Sequence, residues 1–142
     1  MKRFLLISLA AIAVCGVLIG CSSDKKTTQE PTDGQENEKN TYKQITQAAA
    51  KELMDSETGY IILDVRTQAE FDEGHIKGAI LIPDYDIKTK AEGTLQNKDQ
   101  LILVYCRSGR RSKIASEELV KLGYTNVKEF GGIIDWKYEI VK

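Results

Sequence analysis

Residues that close disulfides or bind metals are scarce in this chain of 142 residues, which has three cysteines and a single histidine, His75. Cys15 and Cys21 fall in an N-terminal segment that is interpreted below as a signal and a lipid site, so Cys106 is the only free thiol left for the folded domain. One cysteine cannot close an internal disulfide, and one cysteine with one histidine cannot form a structural zinc site. An unpaired cysteine in an exported protein indicates a reactive thiol.

An excess of either charge is also absent. The 20 basic and 21 acidic residues give a formal net charge of -1. A protein that binds nucleic acid generally needs a basic surface to neutralise phosphates, so the composition gives no reason to expect that class of partner. The length favours one folded domain rather than two.

An apolar run that is comparable with a membrane span occurs only at the N-terminus. Lys2 and Arg3 precede a charge-free run over residues 4–19, a pattern typical of an export signal. A spanning helix needs about 20 apolar residues, and this run is slightly shorter, which favours a signal over an anchor. Residues 18–21 (LIGC) resemble the bacterial lipobox, in which the cysteine is acylated and the preceding peptide is removed. The small residue that the motif requires before its cysteine is Gly20.

This resemblance implies a lipoprotein signal peptide over residues 1–20 and a lipid on Cys21. Cys15 fits the motif less well because Val14 precedes it. Residues 22–40 contain no Val, Ile, Leu or aromatic residue, so they cannot bury enough apolar surface to fold, and residues 21–40 are interpreted as a lipidated, disordered tether. Two or three acyl chains would anchor the protein stably. We therefore expect a membrane-anchored domain on the extracytoplasmic side, at the cell surface or in the periplasm.

Residues 41–142 are predicted to form one α/β domain. Strands are predicted at 41–46, 60–65, 79–82, 101–105 and 127–130, and helices at 47–54, 67–71, 112–122 and, briefly, around Trp136. Residues 84–100 are predicted to form a loop with at most one helix. Alternating apolar strands and helices indicate a central, mostly parallel sheet with helices on both faces. Ligands bind such sheets at the carboxyl ends of the strands, where Asp64 and Cys106 are placed.

The segment that follows the strongest predicted strand carries the chemistry. Residues 106–111 read CRSGRR and lead into a predicted helix. The helix N-terminus places backbone N–H groups near the sulfur, the three arginines add positive charge, and Gly109 lets the loop curl so that its N–H groups point inward. Each effect lowers a thiol pKa and favours a nucleophilic thiolate. Buried structural cysteines are common, but a purely structural role for Cys106 would not explain the three arginines and the glycine that follow it.

Four segments together resemble the rhodanese family of sulfurtransferases. Residues 106–111 are similar to its six-residue active loop, Cys-Arg-x-Gly-x-Arg. The other three segments are 63–66 with Glu70 and Phe71, 74–80 with Ile82 and Pro83, and 131–133 with Trp136.

The resemblance implies a rhodanese-like fold and a sulfurtransferase mechanism. Cys106 would take a sulfur atom from a donor such as thiosulfate, become a persulfide, and pass the sulfur to cyanide or a thiol. Arg111 and the loop N–H groups would stabilise the anionic sulfur, Arg66 would help to bind an anionic substrate, and Asp64 would hold the loop by hydrogen bonding. The substrate-binding loop residues would be Arg107, Ser108, Gly109 and Arg110. Small sulfur-containing anions or thiols are the implied partners, with a protein sulfur acceptor left open, and neither cofactor nor metal is implied.

Two other functions stay open at this point. Phosphatases and arsenate reductases on the same fold use a loop one residue longer, and their arginine would fall at position 112, which is Ser112. Loop length therefore favours sulfur chemistry. Rhodanese modules also act as non-catalytic sulfur carriers or binding modules, although many of those have lost the cysteine that this chain keeps at Cys106. His75 is interpreted as a residue that orders a turn rather than as a general base.

Overall fold

The computed structural model describes residues 41–142. The predicted signal peptide at 1–20, the lipid site at Cys21 and the tether at 21–40 lie outside the described residues and stay predictions. Over residues 41–142, none of the helices combines the length and the apolar character that a bilayer span requires.

Strands and helices alternate along the chain. The strands are β1 (Lys43–Gln44), β2 (Ile61–Asp64), β3 (His75–Ile76), β4 (Ala79–Leu81), β5 (Ile102–Cys106), β6 (Val127–Gly132) and β7 (Ile140–Val141). The helices are α1 (Gln47–Ser56), α2 (Gln68–Glu73), α3 (Ile87–Thr94) and α4 (Arg110–Lys121), and short 3-10 turns cover Asp84–Asp86 and Ile133–Asp135.

Five strands form the central sheet, in the order β1-β6-β5-β2-β4. Every pairing between them is parallel, which confirms the predicted sheet. The central strand, β5, is buried along its whole length. Its carboxyl end, which carries Cys106, therefore opens at the middle of the sheet edge where parallel folds bind ligands.

The two faces of the sheet support separate apolar cores, because successive residues of a strand point to opposite faces. Val104 packs in one core with α3 and α4 residues such as Ile87 and Leu119. Leu103, its neighbour, packs in the other core with Ala50 of α1. Full burial of one such aliphatic side chain contributes about 1.5–3 kcal/mol. Helices thus cover both faces, as the sequence predicts.

Helix α3 agrees with the prediction of a loop with at most one helix over residues 84–100. Two features differ from the sequence-based expectation. An antiparallel pair joins β3 to β7, and strands of two residues are too short to show periodicity. Helix α4 begins at Arg110 rather than Ser112. The last difference matters most, because it brings the first turn of α4 directly against the cysteine.

Candidate active site

Cys106 ends β5 and lies beneath a tight loop that leads into α4. The residue is 1% exposed. The N–H of Gly109 donates a hydrogen bond to the Cys106 sulfur at 3.1 Å. Gly109 also caps α4 with φ of 98°, in the left-handed region that favours glycine. The reversal at Gly109 therefore turns the loop N–H groups toward the sulfur, which is the predicted cradle.

The surroundings of Cys106 favour its thiolate. Burial raises the pKa of the Cys106 thiol, but hydrogen bonds from the hydroxyl and N–H of Ser112 and from two loop N–H groups outweigh that cost and leave the pKa below its ordinary value. Those two N–H groups belong to Ser108 and Gly109. The groups that lower the pKa are thus fixed parts of the loop and of the first turn of α4, and they increase the fraction of Cys106 that is thiolate.

Arg111 is held by a carboxylate that the sequence analysis had not assigned to the site. Its two terminal nitrogens each donate to a separate carboxylate oxygen of Glu70 at 2.7 Å. This pairing is the main reason that the pKa of Glu70 falls from its ordinary value of 4.5 to about 2. The pKa of Arg111 rises, chiefly through its hydrogen bond to Glu70, with a smaller contribution from the charge of Cys106. Arg111 is therefore close enough to influence the sulfur, but its hydrogen bonds are directed at α2.

Glu70 performs two tasks with one side chain. It completes the capping box of α2 with Thr67, whose hydroxyl in turn caps the Glu70 N–H. The capping box could be recognised in the sequence, because Glu70 follows Thr67 by three residues. No local pattern indicates that the same carboxylate reaches the active loop.

The other two arginines of the loop face solvent. Arg107 and Arg110 are exposed, as is Ser108. Within residues 41–142, neither of these arginines forms an ion pair. Both guanidinium groups are therefore accessible to an approaching anion, and their role in substrate binding stays a prediction.

Asp64 and Arg66 form a buried pair, which corrects the roles expected for both. Asp64 is fully buried and Arg66 is 5% exposed. The Arg66 Nη2 donates to Asp64 at 2.7 Å and to the Gly74 carbonyl at 2.7 Å, and its Nε also donates to Asp64. Because its guanidinium is committed to Asp64 and Gly74, Arg66 serves the scaffold rather than a substrate anion. Asp64 likewise holds Arg66 rather than the loop.

Strand β6 passes so close to the loop that follows Cys106 that only glycine fits at position 132. A Cβ built on Gly132 would lie 2.1 Å from the Arg107 carbonyl oxygen and 2.4 Å from the Ser108 Cα. The Ile134 N–H donates to that same carbonyl at 3.3 Å. Gly132, which belongs to the segment 131–133 that resembles the family, is therefore required by a backbone contact that shapes the loop.

A buried carboxylate behind the loop was missed. Glu129 is 3% exposed, and its Oε1 accepts hydrogen bonds from the Ser112 hydroxyl at 2.6 Å and from the Gly131 N–H at 2.8 Å. The available signal was an acidic residue in the last strand, two positions before the pair of glycines that ends it.

His75 stacks on Phe71, with its Nδ1 3.0 Å from the Phe71 carbonyl, an arrangement that orders the turn. No group of His, Cys, Asp and Glu residues that could hold a metal ion occurs in the part of the chain that the structure describes.

Comparison with known proteins agrees with this geometry. Residues 46–139 match the Rhodanese-like domain family. The chain is 37% identical over 73 residues to thiosulfate sulfurtransferase PspE of Escherichia coli strain K12, covering 51% of this chain and 70% of that protein. It is 34% identical over 94 residues to the putative sulfur carrier protein YrkF of Bacillus subtilis strain 168, covering 66% of this chain but only 50% of YrkF.

Among solved structures, a rhodanese-related protein from Thermoplasma volcanium aligns with a TM-score of 0.61 and 33% identity, over 70% of this chain and 98% of that one. The chain therefore belongs to the rhodanese family and has its α/β fold. Its relatives include named sulfurtransferases, which supports sulfur transfer as the family-level activity.

Proposed function

We propose that this protein is a sulfurtransferase that moves a sulfane sulfur from a donor such as thiosulfate to a thiophilic acceptor through a persulfide on Cys106. The observation that carries the proposal is the buried Cys106 sulfur at the base of a loop whose N–H groups converge on it, with Gly109 at 3.1 Å. The family membership and the names of the relatives support the same chemistry.

The first half-reaction loads the cysteine. The Cys106 thiolate attacks the outer sulfur of thiosulfate, an S–S bond forms at the cysteine, and the donor S–S bond breaks with its electron pair leaving on sulfite. The exposed guanidinium groups of Arg107 and Arg110 attract the donor anion. The N–H groups that favour the thiolate then stabilise the negative charge of the persulfide.

The second half-reaction removes the sulfur from Cys106. A cyanide ion or a thiolate attacks the outer persulfide sulfur, the cysteine S–S bond breaks, and its electron pair returns to Cys106 as a thiolate. Because the donor product leaves before the acceptor reacts, ping-pong kinetics are expected.

Two observations favour sulfur chemistry over phosphate or arsenate chemistry on the same loop. Position 112, where a longer loop would carry its arginine, holds Ser112, whose hydroxyl is bonded to the buried Glu129. Arg111 is tied to Glu70 instead of turning into the cradle. A phosphate or arsenate group inside the cradle would thus find no guanidinium fork from Arg111 or from position 112 and would lie near a buried carboxylate.

A carrier role is the second candidate, supported by the relative that is named as a sulfur carrier. A protein acceptor would meet an apolar and cationic rim beside Cys106. Ile134, 60% exposed, lies next to the loop, and Tyr85, 69% exposed, belongs to a turn that packs against α4. Arg107 and Arg110 add the positive charge. An acidic partner protein with an exposed apolar side chain fits this rim.

The extracytoplasmic location is part of the proposal. The basic start, the apolar run and the lipobox-like residues 18–21 support lipidation of Cys21, and membrane attachment would follow from it. This part is independent of the chemistry, which depends on residues 41–142 alone.

The test is the mass of Cys106 after exposure to thiosulfate. We expect one added sulfur atom, its removal by cyanide as thiocyanate, and neither step in Cys106→Ser. Loading with no transfer to cyanide or to small thiols would favour the carrier role. A chain that hydrolyses phosphoesters or reduces arsenate, with no sulfur adduct, would contradict the proposal.

A further inference from the structure

A cavity of about 210 Å³ lies beside α1, in the core on the face of the sheet that α1 covers. Side chains from α1, from β2 and β3, and from the segment that follows the second 3-10 turn line it, and none of them belongs to the loop 106–111. Sites for drug-sized ligands usually measure roughly 300–1,000 Å³. This cavity therefore suits a smaller molecule, and the sulfur chemistry does not use it.

Aromatic side chains form its walls. Trp136 and Tyr138 both line the cavity, with ring centroids 4.8 Å apart and ring planes inclined at 66°. Tyr60 lines it as well. The Trp136 indole N–H is buried, and the Tyr60 hydroxyl donates to the Met54 carbonyl at 2.9 Å. Trp136 and Tyr60 therefore present ring surface to the cavity rather than hydrogen-bond donors.

A cation already lies over one of these rings. The Lys51 ammonium is 5.6 Å from the centroid of the Tyr138 ring, and it also pairs with Asp55, four residues further along α1. The face of an aromatic ring carries the negative end of its quadrupole and attracts cations. The contact of Lys51 with Tyr138 shows that this wall of the cavity accepts positive charge.

A weakly held carboxylate lies at the same cavity. Glu139 lines it and pairs with Lys77 at 3.8 Å, and the side chains of Glu139 and Lys77 are 67% and 70% exposed. Exposed ion pairs of this kind contribute little free energy, so Glu139 can exchange Lys77 for a bound cation. An anion could displace Glu139 from Lys77 in the same way, but it would then lie against ring faces that repel negative charge.

The apolar part of the lining distinguishes between kinds of cation. Met54, Ile62 and Ile76 contribute it. A primary ammonium carries three N–H donors, and donors that face apolar side chains would stay unpaired at a cost in free energy. A quaternary ammonium carries methyl or methylene groups instead, so it needs no hydrogen bond. Aromatic faces, apolar side chains and a carboxylate are together the surroundings that such a cation requires.

We propose that this cavity binds a small quaternary ammonium group, with its methyl groups against Trp136 and Tyr138 and with Glu139 as its counter-charge. Lys51 competes with the ligand for the Tyr138 ring. A free solute and the choline headgroup of a lipid offer the same cation, and the experiment separates these two sources. The proposal goes beyond sulfur transfer and does not depend on Cys106.

Trp136 is the only tryptophan of the chain, so its fluorescence reports on this cavity. The full chain is titrated with choline and with 3,3-dimethylbutan-1-ol, in which a carbon atom replaces the charged nitrogen. We expect a saturable change with choline and about tenfold weaker binding of the neutral alcohol. Equal affinities, or no saturable change with choline, would overturn the proposal.

Vesicles identify the source of the cation. A fluorescence response to choline but not to phosphatidylcholine vesicles assigns the site to a free solute. A response to phosphatidylcholine vesicles that phosphatidylglycerol vesicles do not produce assigns it to the lipid headgroup. Both results support a quaternary ammonium site, whereas equal responses to the two kinds of vesicle, with none to choline, would contradict it.

Matched variants test the individual groups. Tyr138→Leu keeps an apolar side chain and should remove the preference for choline over the alcohol, whereas Tyr138→Phe keeps the ring and should preserve it. Glu139→Gln should weaken choline binding severalfold, and Glu117→Gln, an exposed position on α4, should not. Lys51→Met removes the competing cation and should strengthen choline binding. Weaker binding in Lys51→Met would overturn the proposal even if Tyr138→Leu does not fold, and so would an unchanged preference in a folded Tyr138→Leu.

Discussion

Replacing Glu70 by Gln tests the ion pair that fixes Arg111 to α2. The pKa of Glu70 is lowered from 4.5 to about 2, chiefly by its hydrogen bond with Arg111. At about 1.4 kcal/mol per unit, the shift corresponds to at most about 3.5 kcal/mol of folding free energy. The Glu70 and Arg111 side chains are 25% and 18% exposed, so solvent screening reduces this, and we expect Glu70→Gln to cost about 1–3 kcal/mol at pH 7.

The sign of the pH dependence follows from the direction of that shift. A carboxylate with a lowered folded-state pKa contributes its full stability above its unfolded pKa and loses it as the pH falls toward the folded value. The difference in unfolding free energy between the parent and Glu70→Gln should therefore be constant above about pH 5 and vanish near pH 2. Urea denaturation at several pH values measures it, with Glu73→Gln on the same helix as the control. A difference that does not change between pH 7 and pH 3 would refute the assignment.

Three other perturbations have outcomes that the structure or the sequence predicts. Arg66→Ala leaves Asp64 buried without its partner and should lower the unfolding free energy by about 3–5 kcal/mol in urea, and a cost below 1 kcal/mol would contradict the buried pair. Gly132→Ala places a methyl group on the loop backbone, so both sulfur loading and the melting temperature should fall, whereas Gly93→Ala, where nothing lies within 4 Å, should preserve both. Cys21→Ser should abolish labelling by a palmitate analogue, and an unlabelled parent protein would exclude the lipoprotein interpretation.

The central part of the fold could be predicted because its strands are continuous apolar runs. The residues of β2 and β5 are buried against helices on both faces. Such strands have no polar face, so they stand out in the sequence as unbroken apolar runs between polar loops. The same runs placed Asp64 and Cys106 at the functional edge of the sheet. The β3–β7 pair could not be predicted, because two-residue strands are specified by partners far along the chain.

The partners of charged side chains could not be predicted for a related reason. A sequence shows that Arg111 and Glu70 are charged, but 41 positions separate them, and only the packing of α2 against the loop brings them together. Ser112 and Glu129 are 17 positions apart and meet where β6 passes beneath α4. The motifs predict Cys106 as the nucleophile, whereas the hydrogen bonds that surround the loop depend on tertiary contacts that no local pattern encodes.

The structure also changes which groups are expected to control the sulfur. Three arginines in the loop suggested side-chain charge, yet Arg111 is neutralised by Glu70, and Arg107 and Arg110 are screened by solvent. The N–H groups of the loop and of α4 are fixed by the backbone and need no reorganisation when charge develops on the sulfur. The same donors can therefore stabilise the empty thiolate and the persulfide anion in turn, as the proposed two-step transfer through one cysteine requires. Loop length, rather than the number of arginines, is then the feature that suits this site to a single sulfur atom.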